Sequence, residues 1–192
     1  MRVWAAVLLL LVVAGMLVEG SGQKTSSAIA SMERKLSSLQ SNAGSVHPSP
    51  APTEFTEAEI NAYCAAGRLT LPAGVQSVSF QEQPGIVTGT ARVDFDRLKS
   101  GRDSSNPLLT IFSGVHTVVV AAHAHGTGGD GFVQIDSVLL DGIEIPRFVL
   151  QLFVEKYLEP KYPDVGLNSR FPLPDRIDTA IVGLHRVTVA QK

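Results

Sequence analysis

The chain has 192 residues, of which 44% are hydrophobic and 6% are aromatic, and its formal net charge is −2. This length and composition predict one compact domain with additional segments. The near-neutral charge, without a Lys/Arg cluster, argues against binding to nucleic acid. The only cysteine in the sequence, Cys64, excludes an intramolecular disulfide. Its neighbours are uncharged, which favours a small packed side chain over a nucleophile.

The N-terminus predicts export of the rest of the chain. After Met1-Arg2, an uninterrupted apolar run extends from Val3 to Val18, and small and polar residues follow. This pattern is typical of a secretory signal over residues 1–20, with cleavage after Gly20. The run is also nearly long enough to span a bilayer, so an uncleaved anchor in the inner membrane is the alternative. In either case we expect a periplasmic or otherwise extracytoplasmic protein.

Residues 21–53 are predicted to be a connector, because serine is frequent and the segment ends in His47-Pro48-Ser49-Pro50-Ala51-Pro52. Within it, apolar residues recur at helical spacing: Ile29, Met32, Leu36 and Leu39. This spacing predicts a short amphipathic helix. We interpret it as a transient helix in a tether. The alternative is a short stalk for weak self-association beside a membrane anchor.

The folded domain, residues 54–192, is predicted to begin with a capped helix. Thr56 and Glu59 have the spacing of a capping box, in which the Thr56 hydroxyl accepts from the Glu59 amide and the Glu59 side chain reaches back. Phe55 and Ile60 occupy the hydrophobic-staple positions around it. Gly67 predicts the end of the helix.

From Gly74 onward the hydrophobic period changes to two, which predicts an antiparallel sheet with one apolar and one polar face. Val78 and Phe80 alternate with polar residues on the first strand. The second strand has an apolar face that carries Val87, Gly89, Ala91, Val93 and Phe95. Residues 97–107 are polar and predict an exposed loop.

A glycine-rich segment, residues 126–131, joins two long strands and predicts a hairpin. We expect Gly128-Gly129 to be its two-residue turn. That register pairs Ala124 with Val133, Ala122 with Ile135, His123 with Gln134, and Ala121 with Asp136. Residues 177–182 and 187–189 predict a second, closing hairpin.

Between these hairpins, Asp141-Gly142 ends a strand and Pro146 suits the first turn of a helix. One broad arc of that helix is apolar and predicts docking on the sheet: Val149, Leu150, Phe153, Val154 and Tyr157. Phe148 and Leu152 fall on the opposite side, which predicts a second apolar partner. That partner is more of this chain, a second subunit or a lipid. The predicted fold class is α+β, an antiparallel β-meander wrapped on a long apolar helix, with an N-terminal capped helix.

His123 and His125 are the candidates for a metal site, because alternate residues of a strand share one face and Asp136 is predicted to lie close. A solvated strand surface is the favoured interpretation, because a third or fourth ligand is missing from the pattern. Residues 126–131 open no helix, which argues against a phosphate loop. No convergent set of catalytic residues is present in the sequence, so we predict neither an enzyme nor a cofactor.

Two segments resemble the LmeA-like family of bacterial cell-envelope proteins. The first runs from Val133 to Pro146 ahead of the apolar helix, and the second is Phe171-Pro172-Leu173-Pro174 before the closing hairpin. The resemblance covers about residues 115–189 and, more loosely, the strands from Gly74 to Phe95. It implies an exported domain related in shape to the tubular lipid-binding proteins, associated with phospholipid binding and without catalysis.

The resulting hypothesis is an exported, non-enzymatic cell-envelope protein that binds a lipid or another apolar ligand between sheet and helix. The predicted lining comprises Phe148, Leu152, Phe153 and Tyr157 from the helix, with Phe80, Val87 and Val93 from the sheet. For each of these side chains, ordinary core is the rival interpretation. A second hypothesis is an envelope-tethered interaction module in which Phe148 and Leu152 contact a partner protein. A third is a metal-dependent enzyme that uses His123 and His125.

Overall fold

The computed structural model describes residues 22–99 and 105–192, so the predicted signal or anchor over residues 1–20 lies outside the described residues. The helical segments are α1 (Gly22–Ala43), α2 (Glu57–Ala65), α3 (Phe95–Lys99), a 3₁₀ turn (Pro107–Leu109), α4 (Arg147–Phe153) and a π-helical turn (Val154–Leu158) that continues α4. The strands are β1 (Thr53–Thr56), β2 (Val75–Gln83), β3 (Ile86–Asp94), β4 (Val115–Thr127), β5 (Asp130–Leu140), β6 (Ile143–Glu144), β7 (Asn168–Pro172), β8 (Ile177–Gly183) and β9 (Arg186–Gln191).

The strands form one antiparallel sheet, which confirms the predicted α+β class. Its main order is β1-β9-β8-β4-β3-β2, and β5 pairs with β4, β6 and β7. Strand β4 is the centre of the sheet, since it pairs with β3 and β5 and, near its end, with β8 through His125 and Ile181. The long strands therefore present one continuous face for the helices to cover.

Helix α4 covers one half of that face. The predicted arc of apolar residues is buried, and Phe153 packs against the rings of Phe95 and Phe112 at centroid distances of 5.6 and 4.2 Å. Leu152 is partly buried against the same core, and the 3₁₀ turn contacts α4. The chain itself therefore supplies most of the second apolar partner. Only Phe148 stays largely uncovered, with 60% of its surface exposed.

The predicted long apolar helix is shorter than the sequence pattern indicated. Seven residues are α-helical, and the next five form the π-helical turn. A π-helical turn is wider than an α-helical one. Val154 and Tyr157, which belong to the π-helical turn, are nevertheless buried as the sequence pattern predicted.

Helix α1 corrects the interpretation of residues 21–53 as a tether. It extends over 22 residues, and Met32 and Leu39 are only 6% and 5% exposed. These side chains pack in one core cluster with Phe55, Ile60 and Phe80. The amphipathic stripe therefore finds its apolar partner within the domain. The same contacts bury the apolar stripe of α1, which the alternative prediction of a self-association stalk required to be exposed.

The predicted capping box is confirmed, and it also holds α1 in place. The Glu59 amide donates to the Thr56 hydroxyl at 3.3 Å, and the Thr56 amide donates to the Glu59 carboxylate at 2.8 Å. Lys35 of α1 donates to the same carboxylate at 2.7 Å. Burial alone would raise the pKa of Glu59, but hydrogen bonds with Lys35, Ser31 and Thr56 outweigh it and lower the pKa to about 2.

The hairpin register is confirmed near the turn and wrong beyond it. Ala124 pairs with Val133 and Ala122 with Ile135, but Ala121 pairs with Ser137 instead of Asp136. A β-bulge between Ala121 and Ala122 shifts the register by one residue. The closing hairpin is also confirmed, as Val182 pairs with Val187.

Replacing Leu39 with alanine tests whether α1 is part of the folded core. We expect Leu39→Ala to lower the free energy of unfolding by ~2–5 kcal/mol, since the substitution leaves a cavity under a docked helix. Urea denaturation followed by circular dichroism measures this change. Ser38→Ala, at an exposed neighbour on the same helix, is the matched control. Equal stability of the two variants would restore the tether interpretation.

Candidate ligand-binding cavity

A cavity of about 550 Å³ lies between α1 and the sheet, within the ~300–1,000 Å³ range of ligand pockets. Apolar side chains make up most of its wall. The helices and the first strands contribute Met32, Leu36, Leu39, Gln40, Phe55, Ile60, Phe80, Glu82 and Val87. The rest of the wall comprises Ala124, His125, Pro172, Leu173, Pro174, Asp175, Ile177, Ala180, Val182, Val187 and Val189.

Strand alternation explains how the sheet contributes to this wall. Phe80 and Glu82 of β2 lie two residues apart and share a face, as do Val187 and Val189 of β9. Gly126 of β4 allows the segment after β7 to approach closely. A Cβ atom at this position would lie 2.8 Å from Ala180 Cβ and from Leu173 Cδ1. Leu173 and Ala180 therefore reach the cavity because position 126 has no side chain.

The cavity is not in the place that the sequence predicted. Of the seven predicted lining residues, Phe80 and Val87 line it. Val93, Phe153 and Tyr157 are buried in the core beneath α4, where Leu152 is partly buried, and Phe148 is exposed. The sequence prediction missed the cover contributed by α1, although the helical spacing of Met32, Leu36 and Leu39 was the available signal.

Glu82 is the exceptional residue of the wall. It is 2% exposed, and among the residues that the structure describes its Oε2 atom is buried without a hydrogen-bond partner. Leaving a buried acceptor unpaired costs roughly 1–3 kcal/mol. Sequence analysis missed Glu82, although it continues the apolar face formed by Val78 and Phe80, and a carboxylate at such a position is a detectable anomaly.

Three backbone segments meet behind Glu82. The Glu57 carboxylate, at the first position of α2, accepts from the Glu82 amide at 3.2 Å and lies 2.8 Å from His185 Nδ1. The His185 amide donates to the Glu82 carbonyl at 3.0 Å, and the Glu57 amide donates to the His185 carbonyl at 2.9 Å. These contacts tie β2, α2 and the β8–β9 turn together.

The two carboxyl groups have different proton affinities. Burial, and then the adjacent negative charge of Glu57, raise the pKa of Glu82 to about 7. For Glu57, burial also favours the neutral form, but hydrogen bonds with His185 and the Glu82 amide outweigh it and lower the pKa. Glu57 is therefore the ionised member of the pair, whereas Glu82 carries a proton below neutral pH.

His123 and His125 are both exposed on β4, and His125 also lines the cavity. His123 Nδ1 lies 2.8 Å from Asp136, as the predicted proximity required, whereas His125 stacks on Phe132 at a centroid distance of 5.0 Å. Over the ranges 22–99 and 105–192, no group of three or more His, Cys, Asp or Glu side chains is arranged to hold a metal ion. Cys64 is buried in the core as predicted, and burial raises the pKa of its thiol to about 11.

Comparisons with protein-family models, with curated proteins and with solved structures found no match to this chain. Within the part of the chain that the structure describes, no helix is both long and apolar enough to cross a membrane.

Substituting Glu82 with glutamine tests the protonation of the cavity wall. The unfolded chain ionises this carboxyl near its ordinary pKa of 4.5, whereas the folded protein holds the proton up to about pH 7. The stabilisation from the protonated form is therefore complete below pH 4.5 and is lost as the pH rises to about 7. Relative to Glu82→Gln, the wild type should lose on the order of 3 kcal/mol of unfolding free energy over this interval.

Chemical denaturation at a series of pH values measures this difference. Glu144→Gln, which removes an exposed carboxyl from β6, is the matched control. Parallel curves for the wild type and Glu82→Gln would show that folding does not raise the pKa of Glu82.

Proposed function

We propose that this protein is an exported, non-enzymatic cell-envelope protein that binds a lipid or another apolar ligand in the cavity between α1 and the sheet. The observation that carries the proposal is the cavity of about 550 Å³ with its mainly apolar wall. The proposed site differs from the groove expected beneath α4, because that space is filled by the protein's own side chains.

The size of the cavity supports an apolar occupant. Protein interiors are otherwise packed to the density of organic crystals. A space of this volume leaves the apolar wall residues without the contacts that side chains make elsewhere in the interior. An acyl chain or similar ligand restores these lost contacts, whereas water gains few hydrogen bonds from an apolar wall.

Two features of the sequence are consistent with this role. The apolar run from Val3 to Val18 predicts export or anchoring in the inner membrane. The resemblance of residues 115–189 to the LmeA-like family implies a lipid ligand. Helix α1 connects the apolar run to the cavity, since it follows the run in sequence and forms one wall of the cavity.

Filling the cavity tests the proposal directly. The full-length protein, purified under mild conditions, should carry co-purifying lipid in native mass spectrometry and take up a neutral fluorescent apolar probe. Val87→Trp places a large ring in the cavity wall and should weaken probe binding by about tenfold or more, because it occupies the volume of the ligand. Circular dichroism verifies that the variant is folded.

The matched control is Val119→Trp on the neighbouring strand, where the side chain lies outside the apolar core clusters. This variant should bind the probe as the wild type does. Protein that is free of lipid and takes up no probe would refute the proposal, as would equal effects of the two tryptophan substitutions.

A second candidate function, an envelope-tethered interaction module, is favoured by one observation. Phe148 and Ile143 are 60% and 72% exposed beside the junction of β6 and α4. Contact with a second copy or a partner protein would bury this apolar surface. If the surface mediates self-association, Phe148→Asp should abolish a concentration-dependent dimer in sedimentation equilibrium with the fold retained. A wild type that is monomeric at all concentrations would remove the self-association form of this function.

A further inference from the structure

Glu82 is a polar residue in the mainly apolar wall of the cavity. The side chain is almost completely buried, it belongs to the wall, and its Oε2 atom has no hydrogen-bond partner in the described part of the chain. Buried polar atoms are paired in the great majority of native structures. An unpaired carboxyl oxygen on a residue of the cavity wall therefore indicates that a polar group of the ligand binds at this carboxyl.

The chemistry of this oxygen selects the kind of group. An ionised carboxylate only accepts hydrogen bonds. When Glu82 is protonated, the hydroxyl of one oxygen donates and the other oxygen still accepts, and the adjacent Glu57 carboxylate is a natural acceptor for the proton. The carboxyl group of Glu82 can thus accept a hydrogen bond in both protonation states.

The charges around Glu82 exclude an anionic head group. Glu57 of α2 and His185 of the β8–β9 turn are the titratable groups that interact with it, and the His185 ring is engaged by Glu57. The described residues that line the cavity include Asp175 and Glu82 but no lysine or arginine. Lys35, on α1, is paired with Glu59. The third titratable residue of the wall is His125. A carboxylate or phosphate in the cavity would therefore find no lysine or arginine and would meet the negative charge of Asp175 and of the Glu57–Glu82 pair.

We propose that the ligand of this cavity is an amphipathic molecule whose head group is a hydroxyl or amine that donates a hydrogen bond to the Glu82 carboxyl group, while its apolar chain fills the remaining space. This inference rests on the proposed function and names the class of ligand. It departs from the phospholipid expected from the family resemblance, because a phosphate head finds no lysine or arginine in the wall.

Ligands with one common chain and different head groups test this inference. Decanol and decylamine can donate a hydrogen bond, decyl methyl ether can only accept, and decanoate is anionic. Displacement of a neutral fluorescent probe from the full-length protein gives the four affinities. We expect decanol and decylamine to bind about tenfold more tightly than the ether, which corresponds to ~1.4 kcal/mol. Decanoate should bind most weakly at pH values where it is ionised.

Two substitutions assign this preference to Glu82. Glu82→Leu removes the acceptor and should make decanol and the ether bind equally. Glu82→Gln keeps an acceptor oxygen and should retain the preference for decanol. Equal binding of decanol and the ether by the wild type, or a preference that survives in Glu82→Leu, would overturn the inference while leaving the cavity proposal intact. If none of the neutral decyl ligands binds, both proposals fail.

Discussion

Helix α1 packs against the rest of the domain through one apolar stripe, formed by Met32, Leu36 and Leu39. This packing completes one core cluster and forms one wall of the cavity. The sheet offers a continuous apolar face, and α4 covers only part of it. Helix α2, nine residues long, packs on β2, and α1 packs on α2 and completes the core around Phe55 and Phe80. Docking of α1 covers the remaining part of the face incompletely, and the uncovered volume is the cavity. The Lys35–Glu59 ion pair fixes the position of the helix at one point on α2.

Glu82 connects the stability of the fold to the proposed chemistry of the cavity. Burial and the adjacent Glu57 carboxylate disfavour its ionised form, so its charge is a cost that the fold bears at neutral pH. The hydrogen bonds among Glu57, His185 and the β2 backbone hold this carboxyl in place. A residue that only stabilised the fold would be better replaced by an apolar side chain. Its position in the wall is consistent with the proposed role in selecting the ligand.

Local patterns in the sequence predicted local structure well. The Thr56–Glu59 capping box and the β4–β5 turn are correct because short-range hydrogen bonds determine them. The predicted partner of Ala121 was wrong because no local sequence pattern indicated the β-bulge. The helical stripe of α1 was visible, but its spacing could not show which surface covers it. The ligand site was therefore expected under α4, whereas the cavity lies under α1. Glu82 was missed because the alternation of apolar and polar residues in β2 predicts an apolar residue, not a carboxylate, after Val78 and Phe80.

Helix α1 is attached to the domain by side-chain contacts and not by a ladder of backbone hydrogen bonds, and this has a kinetic consequence. Strand β4 is hydrogen-bonded to its neighbours along its length. Helix α1 is held by side-chain packing, by the ion pairs Lys35–Glu59 and Glu33–Arg68, and by hydrogen bonds that include those of Gln191 with Asn42 and the Leu39 carbonyl. Detachment of α1 would open the cavity without breaking any inter-strand hydrogen bond. Such a local opening requires less free energy than global unfolding. The residence time of a ligand would then be governed by how often one helix lifts away, while the sheet keeps its structure throughout the exchange.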